Sequence, residues 1–382
     1  MATTRSFEIK QTPKTGTGII ATAPIPSGTL IHAEAPAITI PYPQESWLKR
    51  SLAIMGAAQR LPAETQEQFF ALNVNAATRA ACKNLFGKLL AQAESKDPAL
   101  WQELQALEPD EREAAAQCFV SANVVFAGNS KPLGALGQGH WAGAENDRVG
   151  DEWGDRGDAD ALFLTAARFN HSCVANAHLS WNPATRRLHV LAKTDIAAGD
   201  EVYVSYRGQA LSVLGCDQRQ LVLVKKYGFL CLCAECCKKG PELKRSDLVR
   251  KVAKSLLERY GGVPETGVER RAAIESLGKA EKELWNVDVM SVAHVKMNLS
   301  KLYVAEGDVE KAQECCLEAC RIFKTCLGKD NPVTVSVVKS LLACRRGPFI
   351  RELLVASLGY TEEELGMDEV GDEVGEVDDE AV

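Results

Sequence analysis

Asn170-His171-Ser172-Cys173 decides the reading of this chain, because of the company it keeps downstream. About 30 residues on comes Gly199-Asp200-Glu201-Val202-Tyr203-Val204-Ser205-Tyr206, and then Tyr227-Gly228-Phe229-Leu230-Cys231-Leu232-Cys233-Ala234-Glu235-Cys236. In that order they supply a polar clamp, a buried strand ending in tyrosine, and a thiolate cluster fit for zinc. No single piece is decisive. Asn170 and His171 come after the apolar run Phe163-Leu164-Thr165-Ala166-Ala167-Arg168-Phe169, so burial is expected and with it a need for hydrogen-bond partners. An isolated Asn-His pair reads as a satisfied turn. Val202 and Val204 fall on one face of the next strand, Tyr203 and Ser205 on the other, and Tyr206 closes it. A buried tyrosine hydroxyl usually finds a partner, which leaves structural roles open for Tyr203, Tyr206 and Tyr227.

Cys231-x-Cys233-x-x-Cys236 offers three thiolates in one short turn, whereas tetrahedral structural zinc takes four ligands. Cys237 is adjacent but would point away. Cys173, inside the other motif, is the better fourth. Burial as small hydrophobes is the bland alternative. It is the expected state of Cys315, Cys316, Cys320, Cys326 and Cys344, which sit on helical spacing.

Outward from this centre the texture changes several times. Phe7-Glu8-Ile9, Gly18 to Thr22 and Thr29 to Glu34 read as short strands punctuated by Pro24, Pro26 and Gly28. Gly16-Thr17-Gly18 would let backbone approach a ligand closely, although two glycines alone mean a turn. No phosphate loop is present, since the Walker spacing and its Lys-Ser/Thr are missing. From Glu45 to Phe119 the chain reads as helix, with Pro62, Asp97-Pro98 and Pro109 marking starts. Residues 128–160 are rich in Gly, Asp and Trp without periodicity, which predicts a long mobile loop. Ala177 to Trp181 and Arg187 to Lys193 predict a hairpin around Asn182-Pro183-Ala184-Thr185.

Residues 246–358 predict successive helices. Leu299, Leu302 and Tyr303 before Gly307-Asp308, with Ala312 and Ala319 after, give the pattern of a tetratricopeptide-type helix pair. One copy is too few for a free array, so these helices are expected to pack on the rest.

The 382 residues suffice for two or three cored domains. The net charge of −7 hides an asymmetry: residues 361–382 hold eleven acids and no base, and the remainder carries +4. A disordered acidic tail is predicted there. A balance of +4 without a clustered basic face is no argument for direct nucleic-acid binding. The N-terminus lacks a signal-peptide stretch, no run of 18 apolar residues exists, and the thirteen cysteines are read as thiols or ligands. The expected compartment is nucleus or cytoplasm, and the expected state a monomer.

The chain resembles SET-domain proteins of the SMYD-like or fungal SET type, over about residues 5–42 and 118–237. The segment Lys14 to Ile31 resembles the family's opening Gly-x-Gly stretch, and the quoted motifs fall in the family's order. The resemblance implies an α+β fold: a SET-type β-rich arrangement with a helical insertion, a zinc-bound post-SET segment and a C-terminal helical, tetratricopeptide-like domain. The implied divisions are 1–44 and 121–210 for the two SET parts, with a flexible loop near 128–160. The insertion is 45–120, the post-SET segment 211–240, the helical domain 241–360 and the tail 361–382.

The resemblance also implies S-adenosylmethionine as methyl donor and a lysine on a histone or other protein as acceptor. Gly16, Thr17 and Gly18 would then offer backbone to the donor, Asn170 and His171 would bind its two ends, and Asn123 would add a further contact. Tyr206 would be the active-site tyrosine, Tyr227 and Phe229 would close the pocket, and Cys173 would join Cys231, Cys233 and Cys236 around zinc. Two departures stand out. Residues 45–120 contain only Cys82 and Cys118, too few for the family's MYND finger, and Ala175 replaces a usual proline before Asn176. The competing expectation is a non-catalytic SET scaffold binding a protein partner through its C-terminal helices. A zinc hydrolase fails, because four thiolates leave no open coordination position.

Overall fold

Short alternating runs form the strands, and Ala- and Leu-rich stretches form helices on either side of them. The computed structural model describes residues 6–12, 15–41, 47–76, 79–81, 83–84, 88, 98–133, 159–206, 211–259, 262–285, 287–343 and 358–361. Cys82, Cys344, the middle of the expected loop (134–158) and the acidic tail from 362 onward lie outside the described residues.

Strands β1 (Phe7–Thr12) and β2 (Gly16–Ala21) form an antiparallel hairpin, and β3 (Leu30–Glu34) and β4 (Ile38–Pro41) come after it. Helices α1 (Trp47–Gln59), α2 (Ala63–Phe70), α3 (Pro98–Ala106) and α4 (Pro109–Asn129) come next. Each of the three sequence-marked prolines stands at a helix start, where its missing N–H costs nothing. Glu108 and Glu111 add a capping box to α4. That helix runs unbroken through residue 120, where a domain division was expected. The composition change there marks burial: Phe119 and Ala122 to Phe126 are all covered.

The predicted loop is narrower than 128–160, because both its ends are paired backbone. Strand β5 (Lys131–Leu133) and β6 (Ala159–Leu162) are antiparallel neighbours, and β4 flanks β6 on its other side. Strand β7 (Asn170–His171) leads to the expected hairpin, β8 (Ala177–Asn182) and β9 (Arg187–Ala192), with β3 paired to β9. Strand β10 is shorter than the alternating sequence predicted. Tyr203–Val204 pair in parallel with β7, which offers only two residues, and Glu201 adds a lone antiparallel bridge to Ile20. Ile19, Ile31, Phe163, Phe169, Leu188, Val190, Val202 and Val204 share one buried core beneath these strands.

Helix α5 (Cys216–Tyr227) ends at Gly228, whose φ of 74° is the left-handed cap glycine adopts without strain. The chain then turns sharply into the cysteine segment and the short α6 (Ala234–Cys237). Five longer helices complete the described fold: α7 (Gly240–Arg259), α8 (Gly267–Leu284), α9 (Val289–Ala305), α10 (Val309–Leu327) and α11 (Pro332–Ala343). Thr266, Asp288 and Asp308 cap α8, α9 and α10 through side-chain oxygens. Leu299, Leu302, Ala319 and Phe323 lie in the shared core of α9 and α10. Cys315, Cys316, Cys320 and Cys326 are buried there, as their spacing predicted. Among the described residues no helix is long and apolar enough to cross a membrane.

Candidate active site

The parallel pairing of β7 with β10 is what assembles the site. Asn170 stands opposite Tyr203 and His171 opposite Val204, and Ser172 N donates to Val204 O at 3.1 Å. The backbone beyond β10 therefore runs beside the Asn-His pair. Tyr206 N donates to His171 Nδ1 at 3.2 Å, and His171 Nε2 lies 3.4 Å from Cys173 Sγ. Burial lowers His171 to about 4, so the ring is neutral at ordinary pH. With Nδ1 accepting, the ring hydrogen sits on Nε2 and faces the sulfur.

Glu201 is the hub on the other side. Its carboxylate accepts from Asn170 Nδ2 at 2.8 Å, from Tyr203 Oη at 2.7 Å and from Thr15 Oγ1 at 2.8 and 2.9 Å. Asn170 Nδ2 also donates to Thr17 O at 3.1 Å, which ties the Gly-x-Gly strand to the clamp. Gly18 is glycine for a steric reason: a Cβ there would stand 2.4 Å from Glu201 Oε1 and 2.7 Å from Asn170 Nδ2. Asn176 closes the loop, donating to Glu201 O at 3.0 Å and accepting from Tyr203 N at 2.7 Å. The missing proline at 175 thus leaves the loop held by its asparagine.

Three rings, those of His171, Tyr227 and Phe229, converge on Tyr206. Tyr206 lies 4.9 Å from Tyr227, 5.3 Å from His171 and 6.2 Å from Phe229, centroid to centroid. Tyr227 Oη donates to Tyr206 O at 3.4 Å. Burial, aided by Tyr227 and Glu201, holds the Tyr206 phenol well above its usual range, so it stays protonated.

Cys173, Cys231, Cys233 and Cys236 present four sulfurs within 4.8 Å of one another. Cys173 Sγ is 3.9 Å from Cys231 Sγ and 3.5 Å from Cys236 Sγ, too far for a disulfide bond. Hydrogen bonds from Cys173, Cys231 and Cys236 pull the Cys233 thiol strongly down toward thiolate. Cys237, as expected, is exposed and turned to Leu232 O. Gln220 fixes the segment to α5 by a reciprocal pair, Nε2 to Cys231 O and Cys231 N to Oε1, both 2.8 Å. Arg219, fully buried, sets Nη2 3.7 Å from Cys236 Sγ. Burial alone would lower that guanidinium, but the Cys173 and Cys236 sulfurs raise it. A buried guanidinium beside Cys236, with Asp247 3.9 Å from its other nitrogen, favours thiolate over thiol at that edge of the cluster. Such a donor set can hold a soft metal ion.

Asn123 stands apart from the other predicted residues. It is fully buried on α4, and its Nδ2 donates to Ser51 O at 3.0 Å and Phe119 O at 2.8 Å, inside the helical insertion. Its Oδ1 has no partner among the described residues. Sequence reasoning missed the hub role of Glu201, the countercharge of Arg219, and Lys131. The last projects from β5 with Nζ 5.5 Å from the centroid of the Tyr206 ring. Only the tertiary pairing of β5 with β6 brings it there.

A model of the SET domain matches residues 16–207, half of the chain. A histone-lysine N-methyltransferase, set5 of Schizosaccharomyces pombe, is 35% identical over 91 residues, 24% of this chain and 28% of that protein. The human protein-lysine N-trimethyltransferase SMYD5 is 33% identical over 85 residues, 22% of this chain and 20% of that protein. This chain thus matches less than a third of the length of either relative. A solved SET domain of LSMT, described as bound to lysine and AdoHcy, superposes with a TM-score of 0.37 at 11% identity, over 96% of this chain and 83% of that one. With the Gly-x-Gly strand, the Asn-His clamp and the terminal tyrosine brought together inside the matched span, the chain belongs to the SET-domain family.

Proposed function

We propose that the chain is an S-adenosylmethionine-dependent protein-lysine N-methyltransferase whose site is closed by a zinc ion. One observation carries the reading: His171, next to the Asn170 clamp, meets Tyr206 and Phe229, with Tyr227 against Tyr206, beside four clustered sulfurs. Its substrate is a lysine on a histone or other protein.

The residues fit both groups. Four-coordinate zinc with thiolates at about 2.3 Å places its sulfurs about 3.8 Å apart, and the two separations of 3.9 and 3.5 Å bracket that figure. On the donor side, Asn170 directs its Nδ2 to Thr17 and Glu201, and its Oδ1 faces no described donor, ready for an ammonium. Apolar ring faces of Tyr206, Tyr227 and Phe229 suit a nucleoside. When bound, S-adenosylmethionine supplies a methyl group on a cationic sulfur.

The chain's own residues do the rest. A substrate lysine has a pKa near 10.4 in water and is under about 1% neutral at pH 7. Entry between the aromatic rings strips its water and favours the neutral amine. The Tyr206 phenol, kept protonated by burial, is no base; its oxygen accepts an amine N–H and turns the lone pair toward the methyl group. Alignment of this kind lowers a barrier by up to about 7–11 kcal/mol. Cys173, Cys231, Cys233 and Cys236 would hold zinc, pinning the segment after Tyr206 to the clamp. The helix pair α9–α10 is read as a tetratricopeptide-like unit.

The test is incubation of cell extract with labelled donor and purified protein, with donor affinity measured by calorimetry. Label should enter an extract protein, and Tyr206→Phe should lose most turnover while keeping near-normal donor affinity. A protein that neither binds the donor nor transfers label sinks the reading.

A further inference from the structure

Lys131 is the one lysine among the described residues whose ammonium lies on the face of the candidate catalytic tyrosine. It sits on β5, paired to Ala161 of β6, so its backbone is anchored while its side chain reaches the site. It is half-buried and has no carboxylate partner among the described residues, which is unusual for a lysine drawn out of water. The charged and titratable groups facing it are Lys226 from α5, His171 from β7 and Tyr206 beyond β10. None is an ionised acid. We propose that Lys131 is a methyl acceptor within its own chain, a self-methylation site that loads the reaction centre in cis.

This rests on the methyltransferase reading above and adds a substrate to it. Burial first, and the Lys226 charge second, lower Lys131 to about 8. About one Lys131 in ten is then neutral at pH 7, against fewer than about one in a thousand for an ordinary lysine. The site thus already holds an amine that is neutral part of the time, on the ring face of the tyrosine that would orient it. In the step, the Lys131 ammonium first loses a proton to water. Its Nζ lone pair then forms a bond to the donor's methyl carbon as the carbon–sulfur bond breaks. The bonding pair goes to sulfur, leaving neutral S-adenosylhomocysteine and a methylammonium on residue 131.

The full chain alone, incubated with S-adenosylmethionine bearing a trideuterated methyl group, should gain that group on the peptide containing residue 131, read by fragment mass spectrometry. The first-order rate constant should not change on serial dilution, and Lys131→Arg, which keeps the cation over the ring, should abolish the label. A readout free of catalysis is competitive trace acetylation against pH. Lys131 should reach half its maximal reactivity near 8, about a hundredfold more reactive at neutral pH than a lysine titrating near 10.4. Label entering an extract protein while residue 131 stays unlabelled overturns this inference and leaves the methyltransferase reading standing. Label on residue 131 that slows on dilution overturns the in-cis assignment, and an acetylation midpoint near 10 removes the neutral amine on which the proposal rests. Label nowhere, with no donor bound, overturns both.

Discussion

Gly18 and Glu201 show how much of this site rests on single residues. A Cβ at position 18 would overlap both the Glu201 carboxylate and the Asn170 amide, so Gly18→Ala must displace the hub and the clamp together. The expected cost is about 1–3 kcal/mol, the range for overpacking a buried position, with donor affinity falling alongside. Urea titration and calorimetry on the same variant check it; an unaltered midpoint would mean the strand yields freely. Glu201→Gln keeps the shape but removes the charge that three donors share, and should cost about 1–3 kcal/mol. The motif residues Asn170, His171, Tyr206 and the cysteines stood out in sequence through their order, each alone reading as an ordinary turn or core residue. The hub did not. Its partners lie 31 and 186 positions away, and a Glu inside a Gly-Asp-Glu turn looks like any solvated acid.

The same limit governs whole elements. Helix starts were readable because proline and capping residues act locally, and the hairpin β8–β9 because its turn and its alternation are both local. Strands β5, β7 and β10 were misjudged in length or missed, since a two- or three-residue strand exists only through its partner. Between α5 and α6 a positive-φ glycine and two of the four clustered cysteines, Cys231 and Cys233, take over from regular structure. Gly228 cannot become alanine cheaply: its φ is 74°, and the new Cβ would stand 2.5 Å from Asn75 Cβ. If zinc is what closes this segment, its removal by chelation should release residues 228–237 and separate Phe229 from Tyr206. Hydrogen exchange should rise there, while α9 and α10, with their own core, keep their protection. Equal loosening of both regions, or none, would contradict a local clasp. Elemental analysis should find about one zinc per chain before treatment.

On the scale of the whole molecule, the C-terminal helices are fastened to the strands by buried polar contacts as well as by packing. Asn331 Nδ2 donates to Ser180 Oγ at 2.9 Å while its Oδ1 accepts from Val333 N at 3.0 Å, and Ser212 Oγ donates to Asp288 at 2.9 Å. His178 belongs to this junction: it stands on β8 and feels both Lys193 and Asp288. Burial, then Lys193, lowers it to about 4, whereas an unfolded chain would protonate it near 6.5. Between those pH values the unfolded state binds a proton that the folded state refuses, so acidification favours unfolding. Stability should be level above about pH 7 and fall as pH drops from about 6.5 to 4, by up to about 3 kcal/mol from this residue. His171 and His189, also lowered by burial, add to the same decline, so His178→Asn should remove only part of the slope. Asp288 acts elsewhere on the axis. Burial opposes its ionisation, but Lys193, Ser291 and Ser212 outweigh it and hold the carboxyl below its usual value. Its contribution is present above the unfolded carboxylate range and is lost only as pH falls below about 4. Two separate declines are therefore expected in denaturation midpoints from pH 8 to pH 3, and the upper one should shrink in His178→Asn. A variant whose profile overlays the wild type would show that His178 is solvated, and that the seam between strands and helices is open to water.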